Sequence, residues 1–84
     1  MTWKIEFEAR ARREFLKLDH GIQEQLAESI DGLAKNPRPP GAKLLTARDG
    51  YRLRKGDWRV LYTLDHKAHL ISVFVIGHRK EVYR

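Results

Sequence analysis

Three arginines stand in a pattern that a short β-hairpin would bring onto one surface. Arg52 and Arg54 lie two residues apart before the dipeptide Gly56-Asp57, and Arg59 follows it. Because alternate residues of a strand share a face, a type II′ loop at Gly56-Asp57 pairs Arg54 with Arg59 and places Arg52 on the same face. A guanidinium fork matches a phosphate group with two hydrogen bonds and stays charged at any accessible pH. The spacing predicts a binding site for an anion such as the RNA backbone.

The same arginines also fit a plain surface role. Nearby carboxylates that could pair with them on a solvated sheet face are Asp49, Asp57 and Glu81. Like charges directly opposite each other on neighbouring strands cost a few tenths to about 1 kcal/mol, so something must favour their placement. Both explanations, a phosphate site and a salt-bridged surface, stay open at this point.

A second group of chemically capable side chains comes near the end of the sequence, namely His78, Arg79, Lys80, Tyr83 and Arg84. Basic side chains can neutralise phosphate charge, while an imidazole or a phenol can orient a reacting group or move a proton. Taken singly, His78 is typical of a surface histidine and Tyr83 of a packing residue. Together with the arginine hairpin they indicate phosphoryl-transfer chemistry.

The first half of the sequence predicts one strand and two helices. Hydrophobic residues at positions 3, 5 and 7 alternate with charged ones, which is the pattern of a strand with one buried face. Residues 9–18 and 22–35 show the hydrophobic spacing of two amphipathic helices, joined by a turn at Asp19-His20-Gly21 in which Gly21 is able to take a positive φ. The proline-rich segment 36–41 ends the second helix.

The second half predicts strands separated by turns. Residues 51–55, 58–64 and 69–76 form an antiparallel three-stranded meander, and Gly77 ends its last strand. Residues 81–84 add a short C-terminal edge strand. The predicted fold is α+β, with an N-terminal strand, a two-helix hairpin and the meander in the order β-α-α-β-β-β.

Composition narrows the functional class. The 84 residues predict a single domain spanning 1–84, and 17 Lys and Arg against 11 Asp and Glu give a net charge of +6, which favours a polyanionic partner. The sequence has no cysteine, and its histidines and aspartates lack ligand spacing, so we expect no metal and no cofactor. No apolar run approaches the ~20 residues of a membrane span and the start lacks a signal-peptide pattern, which predicts a cytoplasmic protein without a membrane partner.

Several segments together resemble the RelE branch of the RelE/ParE toxin superfamily, and the similarity extends along the whole chain. The main segments are Tyr-Arg-Leu-Arg at 51–54, Gly-Asp-Trp-Arg-Val-Leu-Tyr at 56–62 and Ile-Gly-His-Arg-Lys-Glu-Val-Tyr at 76–83. The opening strand, Leu-Lys-Leu-Asp at 16–19, and Asn-Pro at 36–37 before Gly-Ala-Lys-Leu at 41–44 also resemble that family.

The resemblance implies a RelE-like fold and a type II toxin that acts as an mRNA interferase. Such a toxin enters the A site of the 70S ribosome, cuts the exposed mRNA codon and is neutralised by a cognate RelB-like antitoxin. The family's catalytic positions fall on Arg52, Arg54, Arg59, Arg79 and Tyr83, to which His78 is added as a candidate. The cations assigned to RNA binding are Lys43, Lys55, Lys80 and Arg84.

The expected reaction needs no metal ion. The RNA 2′-hydroxyl attacks the adjacent phosphate while the protein stabilises the charged phosphate and protonates the 5′-oxygen. Some members of the family carry lysines at the positions of Arg52 and Arg54, and arginine does not give up its proton. Three candidates for the general base therefore remain, namely His78, Tyr83 and a group of the ribosome.

Two other functions fit the same sequence. The first is that of a ParE-like toxin, which has this fold and inhibits DNA gyrase without performing chemistry. The second is that of a basic RNA-binding module. The basic, tyrosine-containing segment from Arg79 to Tyr83 favours cleavage over both, although the fold alone would not separate them.

Overall fold

The fold combines a five-stranded sheet with two helices. The computed structural model describes residues 2–45 and 50–78. Along the chain the elements are β1 (Lys4–Phe7), α1 (Ala9–Leu16), α2 (His20–Leu33), β2 (Lys43–Leu44), β3 (Tyr51–Lys55), β4 (Trp58–Asp65) and β5 (Leu70–His78). The sheet order is β1-β5-β4-β3-β2. The predicted α+β class and the antiparallel meander of β3, β4 and β5 are confirmed.

The N-terminal strand enters the sheet in parallel with β5. Ile5 lies opposite Ile71 and Phe7 opposite Val73, so the hydrophobic face of β1 joins that of β5. A parallel connection needs a crossover, and the two helices between β1 and the meander supply it. β5 therefore lies inside the sheet between β1 and β4, which explains why its sequence is rich in hydrophobic residues on both faces.

Both helices pack on one face of the sheet and form the core with it. Their fully buried residues are Ala11 in α1 and Leu26, Ile30 and Leu33 in α2, and the sheet contributes Val60, Tyr62, Ile71, Val73 and Ile76. Neither described helix is long and apolar enough to cross a membrane.

The connection between the helices differs from its prediction. α1 ends at Leu16 and α2 begins at His20, so Gly21 lies in the first turn of α2. Its φ is not positive, unlike that of Gly41, Gly50 and Gly56. The turn predicted at residues 19–21 therefore lies two residues earlier, because residues 17–19 make the connection.

β5 also continues further than predicted. Gly77 lies opposite Arg59 and His78 opposite Trp58, so the strand ends at His78 and the predicted end at Gly77 is wrong. A glycine weakens a strand only modestly, and pairing with β4 holds it in place here. A register shift between Leu61 and Tyr62 inserts Phe74 as an extra residue in β5, which is the mark of a β-bulge.

Candidate functional site

The hairpin of β3 and β4 has the predicted register. Arg54 lies directly opposite Arg59, and Lys55 lies opposite Trp58. In the loop, Gly56 has a φ of 59° and Asp57 does not have a positive φ. A positive φ at only the first loop position is the signature of a type II′ turn, so that prediction is also confirmed.

The three arginines share a strand face but differ in their access to solvent. Arg54 is exposed, Arg52 is half-buried and Arg59 is only 2% exposed. The Arg59 Nη1 atom donates to the carbonyl oxygens of Gly56 at 3.4 Å and Trp58 at 3.3 Å, both in or beside the hairpin turn. Arg54 is therefore open to a ligand and Arg52 partly so, whereas Arg59 lies inside the fold against its own turn.

The short strand β2 extends this basic surface toward the sheet edge. Lys43 lies directly opposite Arg52, so its side chain belongs to the same face, and it is exposed. Lys55 is exposed as well, but its position opposite Trp58 places it on the other face of the sheet. Of the cations assigned to RNA binding from the sequence, Lys43 joins the arginines and Lys55 does not.

A cleft of about 290 Å³ opens beside these cations. Its lining consists of Pro40, Gly41, Lys43, Arg52, Leu53 and Arg54. None of these six described residues is acidic, and three of them carry a positive charge. We refer to this cavity as the basic cleft. Its positive charge, beside Pro40 and Leu53, suits a ligand that combines an anionic with an apolar part.

A buried tyrosine holds the loop that forms one wall of the basic cleft. Tyr62 is fully buried, and its hydroxyl donates to the Pro37 carbonyl at 2.6 Å. Burial, with a smaller contribution from Tyr51, raises the pKa of Tyr62 to about 12. The hydroxyl therefore remains a donor throughout the neutral range and ties the proline-rich loop to the central part of the sheet. Sequence reasoning took the prolines only as the end of α2 and missed both this bond and the cleft.

The register separates His78 from the arginine face. His78 lies opposite Trp58, and their rings meet edge to face with centroids 5.6 Å apart. Trp58 belongs to the face that packs on the helices, and Gly77 takes the position opposite Arg59. The half-buried His78 ring therefore packs on the tryptophan and does not share the surface of Arg52 and Arg54.

The remaining predicted site residues are Arg79, Lys80, Tyr83 and Arg84, and they lie outside the described residues. The same is true of Asp49, of Glu81 and of the predicted edge strand at 81–84. Within residues 2–45 and 50–78, no three His, Asp or Glu side chains come together in a way that would hold a metal ion. The described part of the site is thus a basic surface made by β2, β3 and the proline-rich loop.

Comparison with known proteins places the chain in a family. The family described as "ParE toxin of type II toxin-antitoxin system, parDE" matches residues 5–83. A RelE-like toxin protein of Escherichia coli is 33% identical over 82 residues, which cover 95% of this chain and 86% of the relative. The mRNA interferase toxin RelE of Escherichia coli strain K12 is 30% identical over 87 residues, covering 99% of this chain and 92% of the relative.

The fold agrees with these sequence matches. A crystal structure of the toxin–antitoxin complex RelBE2 from Mycobacterium tuberculosis matches with a TM-score of 0.84 and 25% identity. The match covers 96% of this chain and 95% of that chain. Because the family match spans nearly the whole sequence, a RelE-like relative is 33% identical and a solved toxin–antitoxin structure shares the fold, this chain belongs to the ParE toxin family of type II toxin–antitoxin systems and is a RelE-like toxin.

Proposed function

We propose that this toxin is a metal-independent endoribonuclease that cuts mRNA in the ribosomal A site, with residues 1–84 forming one RelE-like domain. The observation that carries the proposal is the basic surface on which Lys43, Arg52 and Arg54 line one cleft. Relatives about 30% identical are named mRNA interferases, which supports the same chemistry. An mRNA strand supplies the closely spaced phosphates that such a surface needs as its ligand.

The reaction follows from the groups that surround a scissile phosphate. The 2′-oxygen forms a bond to phosphorus and loses its proton, while the bond from phosphorus to the 5′-oxygen breaks and that oxygen takes up a proton. Arg52 and Arg54 stabilise the negative charge that grows on the phosphate oxygens, because their forks donate two hydrogen bonds each. Arg59 is buried, so we assign it the positioning of the hairpin turn.

The C-terminal residues complete the proposed site. Arg79 acts on the scissile phosphate or the leaving oxygen, and Tyr83 stacks on a base or orients it. Lys80 and Arg84 bind the RNA backbone, and Lys55 binds a phosphate on the far side of the hairpin. His78, Tyr83 and the ribosome are the candidates for the general base.

The proposed regulator is a cognate antitoxin. The solved structures similar to this chain include toxin–antitoxin complexes from Mycobacterium tuberculosis and Escherichia coli. A chain with a net charge of +6 favours an antitoxin segment that is acidic or amphipathic, since complementary charge speeds association and fixes orientation. The toxin and its antitoxin would meet each other, the ribosome and the mRNA in the cytoplasm.

Primer extension on cellular mRNA after brief induction tests this function. We expect cuts inside translated codons within minutes, and none when the cognate antitoxin is expressed with the toxin or when Arg52 and Arg54 are both replaced by alanine. Growth should stop under the same induction. Intact mRNA in growth-arrested cells would reject the proposal.

A second candidate function comes from the description of the matching family, which names ParE toxins. A ParE-like toxin would inhibit DNA gyrase without cutting RNA. The same induction separates the two, because gyrase inhibition leaves mRNA intact and traps gyrase–DNA cleavage complexes. A plain RNA-binding module would produce neither mRNA cuts nor trapped gyrase.

A further inference from the structure

We propose that the basic cleft is a subsite for the one nucleotide adjacent to the scissile phosphate, with Lys43 binding the phosphate of that nucleotide. This inference rests on the proposed endoribonuclease function and extends it from the reacting phosphate to its neighbour. Three independent features carry it: the size of the cleft, the row of charges along one side and the anchored loop on the other.

The size of the basic cleft sets the size of its ligand. Its volume of about 290 Å³ lies near the lower limit of about 300 Å³ for pockets that hold small molecules. A single nucleotide fits a space of this order, and a folded RNA element does not. The cleft therefore takes one unit of an extended strand.

The charges along the cleft follow the course of a strand. Arg52 and Arg54 are two residues apart on β3, which separates their Cα atoms by roughly 7 Å along the strand. That distance is comparable with the step between successive phosphates of an extended RNA chain. Lys43 adds a second cation beside Arg52, on the side away from Arg59. When Arg52 and Arg54 hold the scissile phosphate, Lys43 lies beside Arg52 where the next phosphate arrives.

The position of Lys43 suits a contact with a phosphate. Lys43 lies directly opposite Arg52 on the neighbouring strand, so its side chain belongs to the same face. A phosphate that arrives on this face beside Arg52 accepts a charge-assisted hydrogen bond from the Lys43 ammonium group. Lys43 is exposed and β2 has only two residues, so packing of the Lys43 side chain contributes little to stability. A contact with a ligand therefore explains a lysine at this position better than a structural role does.

The opposite wall gives the base a fixed surface. Pro40, Gly41 and Leu53 supply apolar and backbone atoms next to the cations. The Ala42 amide donates to the Pro39 carbonyl at 3.0 Å, and the Tyr62 hydroxyl holds Pro37 at 2.6 Å. Gly41 has a φ of 95° and a Cβ there would meet no atom within 4 Å, so the mouth of the cleft is open beside it. A wall held in this way keeps its shape when a base packs on it.

Single-turnover cleavage of mRNA on programmed ribosomes tests the subsite. The measured quantities are the toxin concentration at half-maximal rate and the maximal rate, for the wild type and for Lys43→Ala, Lys43→Arg and Lys67→Ala. Lys67 is the matched control because it is equally a lysine and exposed, but it lies in the turn beyond the end of β4. Thermal melting of each variant checks that the fold is intact.

We expect Lys43→Ala to raise the half-maximal concentration about tenfold and to leave the maximal rate within twofold, as for the loss of one phosphate contact made equally before and during reaction. The slope of log affinity against log salt should fall by about 0.7, the value for one phosphate on a single strand. Lys43→Arg should restore both quantities, and Lys67→Ala should match the wild type.

A second measurement uses mRNA with a 2′-deoxy nucleotide at the cleavage position, which binds but cannot react. Adding one nucleotide next to the scissile phosphate, on one side or the other, should tighten binding in the wild type and not in Lys43→Ala. The subsite is refuted if Lys43→Ala behaves like Lys67→Ala, if it lowers only the maximal rate, or if it keeps the full gain from the added nucleotide. If the wild type cuts no translated mRNA, the proposed function fails and the subsite with it, and that result is distinct because the wild type itself is inactive.

Discussion

Arg59→Ala should lower stability and leave RNA binding unchanged, whereas Arg54→Ala should weaken RNA binding and leave stability almost unchanged. The two residues face each other across the hairpin and have the same charge, so the sequence alone treats them alike. The structure distinguishes them, because Arg54 is exposed and Arg59 is 2% exposed with two hydrogen bonds to its own turn.

The expected loss in Arg59→Ala can be estimated from its contacts. The two bonds at 3.3 and 3.4 Å are longer than the usual 2.9–3.0 Å, so we take less than the typical ~1 kcal/mol for each. Removing the buried aliphatic stem adds a packing loss of about 1 kcal/mol, and relief of the repulsion from Arg54 returns a few tenths. The net loss of about 1–2 kcal/mol corresponds to a melting temperature lower by about 5–15 °C in a chain of this size.

Arg54→Ala should instead change the free energy of unfolding by no more than about 0.5 kcal/mol, as is usual for an exposed site. Its slope of log affinity against log salt should fall by about 0.7 with ribosome-bound mRNA, whereas Arg59→Ala should keep the wild-type slope at a temperature where it is folded. Thermal melting and a salt titration of binding measure these two quantities. Equal melting temperatures, or an equal loss of slope in both variants, would refute the distinction.

Three further outcomes follow from the structure. Gly50→Ala should lower the free energy of unfolding by about 2 kcal/mol or more, because the φ of Gly50 is 154° and the new Cβ would lie 2.7 Å from the Tyr62 carbonyl oxygen. Gly21→Ala in α2, where a Cβ meets nothing within 4 Å, should instead raise the free energy of unfolding by up to about 1 kcal/mol. A urea titration measures both changes. Tyr62→Phe should lose about 1–3 kcal/mol at pH 7 because the buried Pro37 carbonyl loses its donor. The folded-state pKa of Tyr62 is raised from 10 to about 12, so wild-type stability is retained below pH 10 and falls by about 2–3 kcal/mol as the pH rises to 12. Denaturant titrations at pH 10 and pH 12 should therefore show that the difference in stability between the wild type and Tyr62→Phe becomes smaller. A constant difference would contradict the raised pKa. His78→Ala should lower the free energy of unfolding by about 0.5–1.5 kcal/mol through loss of its contact with Trp58. The variant should keep the acid limb of the cleavage pH profile. Disappearance of that limb would instead identify His78 as the general base.

The hairpin was predictable from the sequence because each local signal agrees with the others. Gly56 suits the first position of a type II′ turn, and the alternation in β3 and β4 then allows only one register that buries Tyr62 and Val60 together. β2 escaped prediction because two residues cannot show an alternation. The parallel pairing of β1 with β5 escaped it as well, since nothing local to Lys4–Phe7 indicates which distant strand it joins.

The site was predictable only as far as strand alternation reaches. Alternation places Arg52, Arg54 and Arg59 on one face, but it does not show which of them the fold covers. The basic cleft depends on the path of the proline-rich loop, which a hydrogen bond from Tyr62 to Pro37 ties to the sheet across 25 positions of sequence. A contact of that range has no periodic signature. The same limit explains why His78 and the arginines, although close in the predicted meander, lie on different faces once the register of β5 is known.

The described basic surface has a further consequence for proton transfer. Arg52 and Arg54 can neutralise the charge that develops on a phosphate, but a guanidinium group is a donor only and has no acceptor for a proton. The packing of His78 on Trp58 leaves this face without an imidazole from β5. In the proposed reaction, the proton of the RNA 2′-hydroxyl would then go to a group that is not part of the surface formed by β2, β3 and the loop. Under the proposed function, the arginine face would therefore act on the charge of the transition state, and the acid–base steps would fall to the C-terminal residues or to the ribosome.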